Sequence, residues 1–251
     1  NVIPYTAAVS ACGKSGAWAV ALGLLRDVRQ AALEPNLITY NAALTACEKG
    51  VQWRAALRLL SDSHACHLEP DLITYCAAIS ACEKCQEWEW ALWLLAAVPR
   101  NALQPDVVAY SAAVSACEKG RQWEAACHLL RECQRARVEA NAITYNAAIR
   151  ACARVEQWLC AMALLDEMRR RRVAPDEISY NSAVSACEAG SRWAWTLALL
   201  EEMRRGGLVP NGVICGVAVS ALTRAGQRPR AEALLESARA AWLREDERRP
   251  P

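Results

Sequence analysis

The sequence predicts an all-α fold, an α-solenoid of stacked helix-turn-helix units, and three observations lead there. One pattern recurs every 35 residues without a slip, each unit divides into two segments of helical apolar spacing, and a proline closes almost every unit. All six tyrosines keep the step, at Tyr5, Tyr40, Tyr75, Tyr110, Tyr145 and Tyr180. So do Cys12, Cys47, Cys82, Cys117, Cys152 and Cys187, and Trp18, Trp53, Trp88, Trp123, Trp158 and Trp193. A Leu-Leu pair follows, beginning at Leu24, Leu59, Leu94, Leu129, Leu164, Leu199 and Leu234. A helix pair of this size cannot bury both faces by itself. Stacked neighbours close the core and leave a concave inner surface.

Each element can be justified in turn. In ITYNAALTACEK (Ile38 to Lys49), Tyr40, Ala43, Leu44 and Cys47 sit at i, i+3, i+4 and i+7, one apolar stripe of a first helix. Ala42, Ala43 and Ala46 are small enough to let helices approach closely, and Gly50 breaks the helix. A second helix starts at Trp53, with Ala56, Leu57, Leu59 and Leu60 apolar, and ends before His67-Leu68-Glu69-Pro70. Pro70 cannot continue a helix, and Asp71 is a start signal for the next one. The units run 2–36, 37–71, 72–106, 107–141, 142–176 and 177–211, so six of them fill 1–211. Residues 212–251 hold a degenerate seventh unit and a charged C-terminal cap, LREDERRPP. In that unit Cys215 replaces Tyr, Leu222 replaces Cys and Arg228 replaces Trp, as a terminal repeat requires.

Composition narrows the function classes. Hydrophobic residues make up 54% of the 251, enough for a sizeable core, although aromatics are 6% and Phe is absent. Lys+Arg 29 against Asp+Glu 27 gives a formal charge of +2, so net charge neither demands nor excludes a nucleic-acid partner. The thirteen cysteines are odd in number and six recur at one interval, the mark of reduced thiols filling a core. No run of about eighteen apolar residues is present to span a membrane. The chain opens in mid-pattern without Met, as expected of a fragment whose targeting peptide lies upstream.

Units reading (V/I)TYN-A-A-(I/V)-S-A-C-E-K-G…W…A-L-x-L-L…P-(D/N) closely resemble pentatricopeptide repeats over essentially the whole chain. Tetratricopeptide arrays repeat every 34 residues, and six units at that step would slip by about six. The resemblance implies a right-handed superhelix and an organellar RNA-binding protein, of a chloroplast in preference to a mitochondrion. It implies single-stranded RNA in the groove, one base per repeat, with the N-terminal repeat toward the 5′ end. RNA-processing proteins are the further partners expected, and the chain is expected to be a monomer. No cofactor and no metal are implied.

In that family the fifth and last residues of each unit read the base edge, which the resemblance carries onto Thr6 with Asn36, Asn41 with Asp71, Cys76 with Asp106, Ser111 with Asn141, Asn146 with Asp176, and Asn181 with Asn211. The family's code then gives 5′-A-U-x-A-U-C-3′, the third base left open because the Cys76 thiol is a poor donor and acceptor. Gly216, in the seventh unit, has no side chain to read with. The second residue wedges between bases, here Ile3, Ile38, Ile73, Val108, Ile143, Ile178 and Val213. Lys14, Lys49, Lys84, Lys119 and Arg154 would form a phosphate-tracking stripe, with a salt slope of about 3 to 4.

Plainer roles compete for the same residues. Asn, Ser and Thr favour first-turn and capping positions, the Asp or Asn after Pro suits a helix start, and the cations suit a solvated face. The Trp series beside Leu-Leu reads as core packing in preference to base stacking, and Trp90, Trp93 and Trp195 have no role assigned. His67-Leu68-Glu69 and Cys82-Glu83-Lys84-Cys85 mimic a zinc-deaminase signature, but Cys82 belongs to the repeat and Ala81 stands where that signature needs Pro. No nucleophile elbow, phosphate loop or carboxylate pair stands outside the repeat, so no catalytic residue and no enzyme activity are expected. Two alternatives stay open: a peptide-binding helical scaffold, and the RNA-targeting arm of an enzyme whose catalytic domain lies elsewhere.

Overall fold

The computed structural model describes residues 3–31 and 33–246; the tail from Glu247, with the end of the expected charged cap, lies outside the described residues. Among the described residues every element is an α-helix. First helices are α1 (Ile3–Ser15), α3 (Leu37–Lys49), α5 (Leu72–Lys84), α7 (Val107–Lys119), α9 (Ala142–Ala153), α11 (Glu177–Ala189) and α13 (Gly212–Arg224). Second helices are α2 (Trp18–Gln30), α4 (Trp53–Ala65), α6 (Trp88–Arg100), α8 (Trp123–Arg135), α10 (Trp158–Arg170), α12 (Trp193–Arg205) and α14 (Arg228–Asp246). Two compact units result, Asn1–Ala140 with α1 to α8 and Asn141–Pro251 with α9 to α14. No helix is long and apolar enough to cross a membrane among the described residues.

Inside each unit the first helices form the tighter layer. In the first unit α3 packs on α1 and α5, and α5 on α7; in the second, α11 packs on α9 and α13. Each second helix packs on its own first helix, and α2, α4, α6, α10 and α12 also pack on the next one, while no two second helices of a unit come equally close. Small side chains explain the asymmetry. Ala43, Ala46, Ala78, Ala81, Ala113, Ala116, Ala148, Ala151, Ala183 and Ala186 are fully buried along the first helices, whereas the second helices interpose leucines. The repeat cysteines from Cys47 to Cys187 are buried beside them. All thirteen are free thiols. Burial pushes Cys47 and Cys187 up to about 11, and Cys82 and Cys117 up to about 12, so these thiols stay protonated and inert.

The helix ends follow two rules. First helices α3 to α13 start on a side-chain cap: Asn36, Asp71, Asp106, Asn141, Asp176 and Asn211 each accept from the backbone N–H three residues on. Second helices α2, α4, α6, α8, α10 and α12 start on Ala17, Gln52, Glu87, Gln122, Gln157 and Arg192, none giving a side-chain cap bond. At the other end α3 stops at Gly50 as expected, but backbone freedom is not the reason. Gly50, Gly120 and Gly190 have φ of −79, −77 and −76, which any residue adopts. The left-handed residue is the next one, Val51, Arg121 or Ser191, at φ 56, 57 and 56. Glycine is needed there for space. A Cβ on Gly50 would lie 2.2 Å from Trp18 Cδ1, on Gly120 2.4 Å from Trp88, and on Gly190 2.6 Å from Trp158.

Thus the repeat tryptophans are half-buried, and Trp18, Trp88 and Trp158 are seam residues that lie across the end of the next first helix. In the repeat that carries Cys85 in place of that glycine, Trp53 packs instead on Trp90, with centroids 6.0 Å apart, and Trp90 packs edge-on to Trp93 at 5.9 Å. Trp195 meets Trp158 in the same way at 6.4 Å. Trp90 and Trp195 therefore link successive second helices, and Trp93 supports Trp90 within α6. The tyrosines work from the other side of the seam: each ring from Tyr40 to Tyr180 is buried, and its hydroxyl reaches a second helix. Asn101 donates to Tyr75 at 2.8 Å, and Tyr180 donates to Glu202 at 3.2 Å.

Candidate functional site

Because the stack sets a helix start beside the preceding first helix, the fifth residues Asn41, Cys76 and Asn146 meet the cap of the next first helix. Asn41 Nδ2 donates to Asp71 Oδ1 at 3.3 Å, and Asn146 Nδ2 donates to both oxygens of Asp176 at 3.0 and 3.2 Å. The Cys76 thiol points at Asp106 Oδ1 from 3.9 Å, a weak contact. Burial first, and Asp106 second, push that thiol up to about 12, so it remains a thiol. These pairs, singled out in the sequence, are thus in direct contact. The last residue of each pair is also a helix cap, so the structural role and the candidate binding role coexist on one side chain. The fifth residues do not cap their own helices.

A third side chain, missed in the sequence, completes each cluster. Thr74, third in its unit, shares its hydroxyl proton between Asp71 Oδ1 and Asn41 Oδ1, both 2.7 Å away. Ser179 does the same with Asp176 Oδ1 at 2.9 Å and Asn146 Oδ1 at 2.6 Å. In the first pair, Thr39 donates to Asn36 Oδ1 at 2.8 Å, and its hydroxyl lies 2.8 Å from that of Thr6. The available signal was the Thr of TYN, kept at Thr39, Thr74 and Thr144 and replaced by Ser179.

Two places break the pattern. Ala109 offers no hydroxyl to Cys76, and Ile214 offers none to Asn181, whose side-chain oxygen is buried without a hydrogen-bond partner. Asn211 caps α13 at 2.9 Å but turns its amide nitrogen to Glu177, so Asn181 and Asn211 are not joined. Ser111 is half-buried on α7, and Asn141 caps α9 through a 3.0 Å bond from the Thr144 backbone N–H.

Electrostatics keeps these acids charged. Burial pushes the Asp71 and Asp176 carboxyls up, but the hydrogen bonds from Thr74 and Asn41, and from Ser179 and Asn146, more than offset it and hold both below the usual carboxylate value. A depressed folded pKa contributes stability that is fully present above the ordinary value near 4 and is lost as pH falls through the lower, folded value. Melting temperature should therefore fall on acidification below about pH 4, and the double variant Asp71→Asn, Asp176→Asn should show a smaller fall, since Asn caps without titrating. An equal fall in both proteins, followed by circular dichroism, would remove these two acids as the cause.

Beside the clusters stand the second residues of each unit. Ile3, Ile38, Ile73, Val108, Ile143, Ile178 and Val213 are 51–73% exposed, large β-branched groups with no core to join. They share the first turn of the first helices with the caps. The cations Lys14, Lys49, Lys84, Lys119 and Arg154 lie at the opposite, C-terminal ends of those helices. Their stripe is less free than its spacing implied. Lys84 pairs with Glu48 and Lys119 with Glu83, both at 2.9 Å, and Lys49 donates to the Lys14 carbonyl at 2.9 Å. Repeat-to-repeat ladders of this partly exposed kind contribute about 0.5 kcal/mol each, and a phosphate would have to displace the glutamate. Among the described residues no cluster suits a metal ion.

Comparison with known proteins fits this arrangement. A family model described as a pentatricopeptide repeat domain matches residues 1–49 and 58–119, and one described as a PPR repeat family matches 105–154 and 140–188. The crystal structure of pentatricopeptide repeat protein PPR10 from maize is 26% identical, with a TM-score of 0.68, over 96% of this chain and 34% of that one. PPR10 in complex with an 18-nt psaJ RNA element aligns at 19% identity and a TM-score of 0.80, over 96% and 35%. The PPR domain of Arabidopsis thaliana protein-only RNase P 1, in complex with tRNA, aligns at 14% and 0.60, over 68% and 90%. The chain spans about a third of the PPR10 chain. Comparison with curated protein sequences finds no match.

Proposed function

We propose, from the premise that this chain belongs to the pentatricopeptide repeat family, that it binds single-stranded RNA with sequence selectivity, one base per repeat, as part of an organellar RNA-processing, stabilising or editing factor. The observation that carries the reading is the series of seven exposed aliphatic side chains, with the amides of Asn41 and Asn146 held against the next helix caps beside it. Water gains nothing from such a series, while a strand of bases offers each group an apolar face on both sides. A PPR10 relative in complex with RNA supports the class of ligand. Coating a short segment would act sterically, by blocking nucleases or competing structure or by presenting the segment to a partner enzyme.

The expected footprint is 5′-A-U-x-A-U-C-3′, read by the six pairs named above. Labelled RNA containing AUGAUC should bind more tightly than a scrambled RNA, and Asn41→Thr or Asn146→Thr should move preference at the second or fifth base alone. One altered contact is worth about 1 kcal/mol, or roughly fivefold. With Lys84 and Lys119 already paired, the salt slope should fall below the 3 to 4 that five free cations would give. Equal, fully salt-suppressed binding of both RNAs would replace selective readout by a nonspecific groove.

Protein docking has one observation in its favour. A cavity of about 560 Å³ between α4 and α6 is lined by Leu57, Leu60, Trp90, Trp93, Arg58 and Arg100, with no carboxylate among its walls. Failure of either RNA to bind at low salt would shift the reading to a protein-binding scaffold.

A further inference from the structure

Within each cluster the direction of the amide is decided by its neighbours. A carboxylate can only accept, so Asp71 draws the nitrogen of Asn41 toward itself and Asp176 draws that of Asn146. The oxygen then faces the third residue of the next unit, where Thr74 or Ser179 supplies a hydroxyl at 2.7 or 2.6 Å. One N–H of each amide is taken by the carboxylate and the oxygen by the hydroxyl. The second N–H remains, on Asn41, which is half-buried, and on Asn146, which is 4% exposed, as the one donor each asparagine has left for a base.

We infer that the third residue of each unit is a positioning residue that sets the specificity of the preceding repeat by locking this amide. Where the hydroxyl is present, the fifth residue offers the incoming base a donor of fixed direction. Where it is absent, the lock fails. Ile214, fully buried, stands in that place opposite Asn181, and the Asn181 oxygen is the buried, unpartnered atom that results. Asn211 does not take the place of an acid there: its oxygen accepts from the Ile214 backbone N–H, its nitrogen donates to Glu177, and neither reaches Asn181. The Asn181 amide is thus free to turn, and with either edge outward it meets the donor or the acceptor of a pyrimidine. Cys76, facing Ala109, lacks the same support. The fifth and second bases are therefore read strictly, the sixth and third loosely.

This inference rests on the base-reading role proposed above, and the test separates the two. RNA competition would measure the preference for uracil over cytosine at the second base in the full chain, and the same ratio at the sixth. Thr74→Val, which keeps shape and removes the hydroxyl, should lower the ratio at the second base about fivefold, the effect of one hydrogen bond, while Thr74→Ser should retain it. Ile214→Thr should raise discrimination at the sixth base by a similar factor, an effect that damage to folding cannot mimic. If Asn41→Ala abolishes discrimination at the second base but Thr74→Val and Ile214→Thr change nothing, the lock is overturned and base reading stands. If Asn41→Ala also changes nothing, base reading falls and the lock with it.

Discussion

Replacing Ile73 and Ile143 together by aspartate should weaken RNA binding by about 100-fold while leaving thermal stability unchanged or slightly raised. Each side chain is 65% exposed and is the second residue of its helix. If a base covers each on binding, losing that apolar contact costs about 1.5 kcal/mol per site, and two sites give about 3 kcal/mol, or roughly two powers of ten. A carboxylate near the RNA backbone adds repulsion in the same direction. Folding responds with the opposite sign, because a negative charge in the first turn interacts favourably with the helix dipole, by about 0.3–1 kcal/mol. Binding and stability thus move apart, which a core residue could not do. Fluorescence anisotropy with the AUGAUC strand, beside a melt of the same protein, reads both. Unchanged affinity would mean that the aliphatic series is ordinary surface.

Much of this architecture was legible because one period governs it. Tyr40, Ala43, Leu44 and Cys47 announce the first helix and its buried stripe, and the structure buries all four. The caps were legible too, since Asp and Asn after Pro are start signals. What escaped was whatever joins different repeats. Thr74 lies beside Asn41 only because α5 is stacked on α3, and the chain separates the two residues by 33 positions. The same holds for Lys84 on Glu48, 36 positions apart. There the signal was available, because Glu precedes Lys in the CEK of every unit that has it, and a shift of one repeat brings the two charges together. Glycine marked the helix end correctly, but its reason lay in another repeat. At the end of a helix it usually marks a left-handed residue, and here it marks the footprint of the preceding repeat's tryptophan.

That footprint carries the largest stability effect expected of a single methyl group in this chain. Gly120→Ala should destabilise the fold by about 2 kcal/mol, although alanine at an ordinary helical φ normally stabilises by about 0.4–1 kcal/mol. The new Cβ would lie 2.4 Å from Trp88 Cδ1 and 2.7 Å from Cγ, closer than carbon atoms can approach. Trp88 is an indole held at the start of α6, so it cannot give way as the tip of a lysine would. Gly216 provides the contrast. It is exposed on α13 and a Cβ there meets nothing within 4 Å, so Gly216→Ala should gain close to 1 kcal/mol from helix propensity. Urea midpoints of the two variants should move in opposite directions. In a Trp88→Ala background the ring is gone, and Gly120→Ala should then cost nothing or stabilise. A penalty that persists without the ring would place its cause in the backbone at Gly120, and the tryptophan seam would lose its claim to have selected glycine.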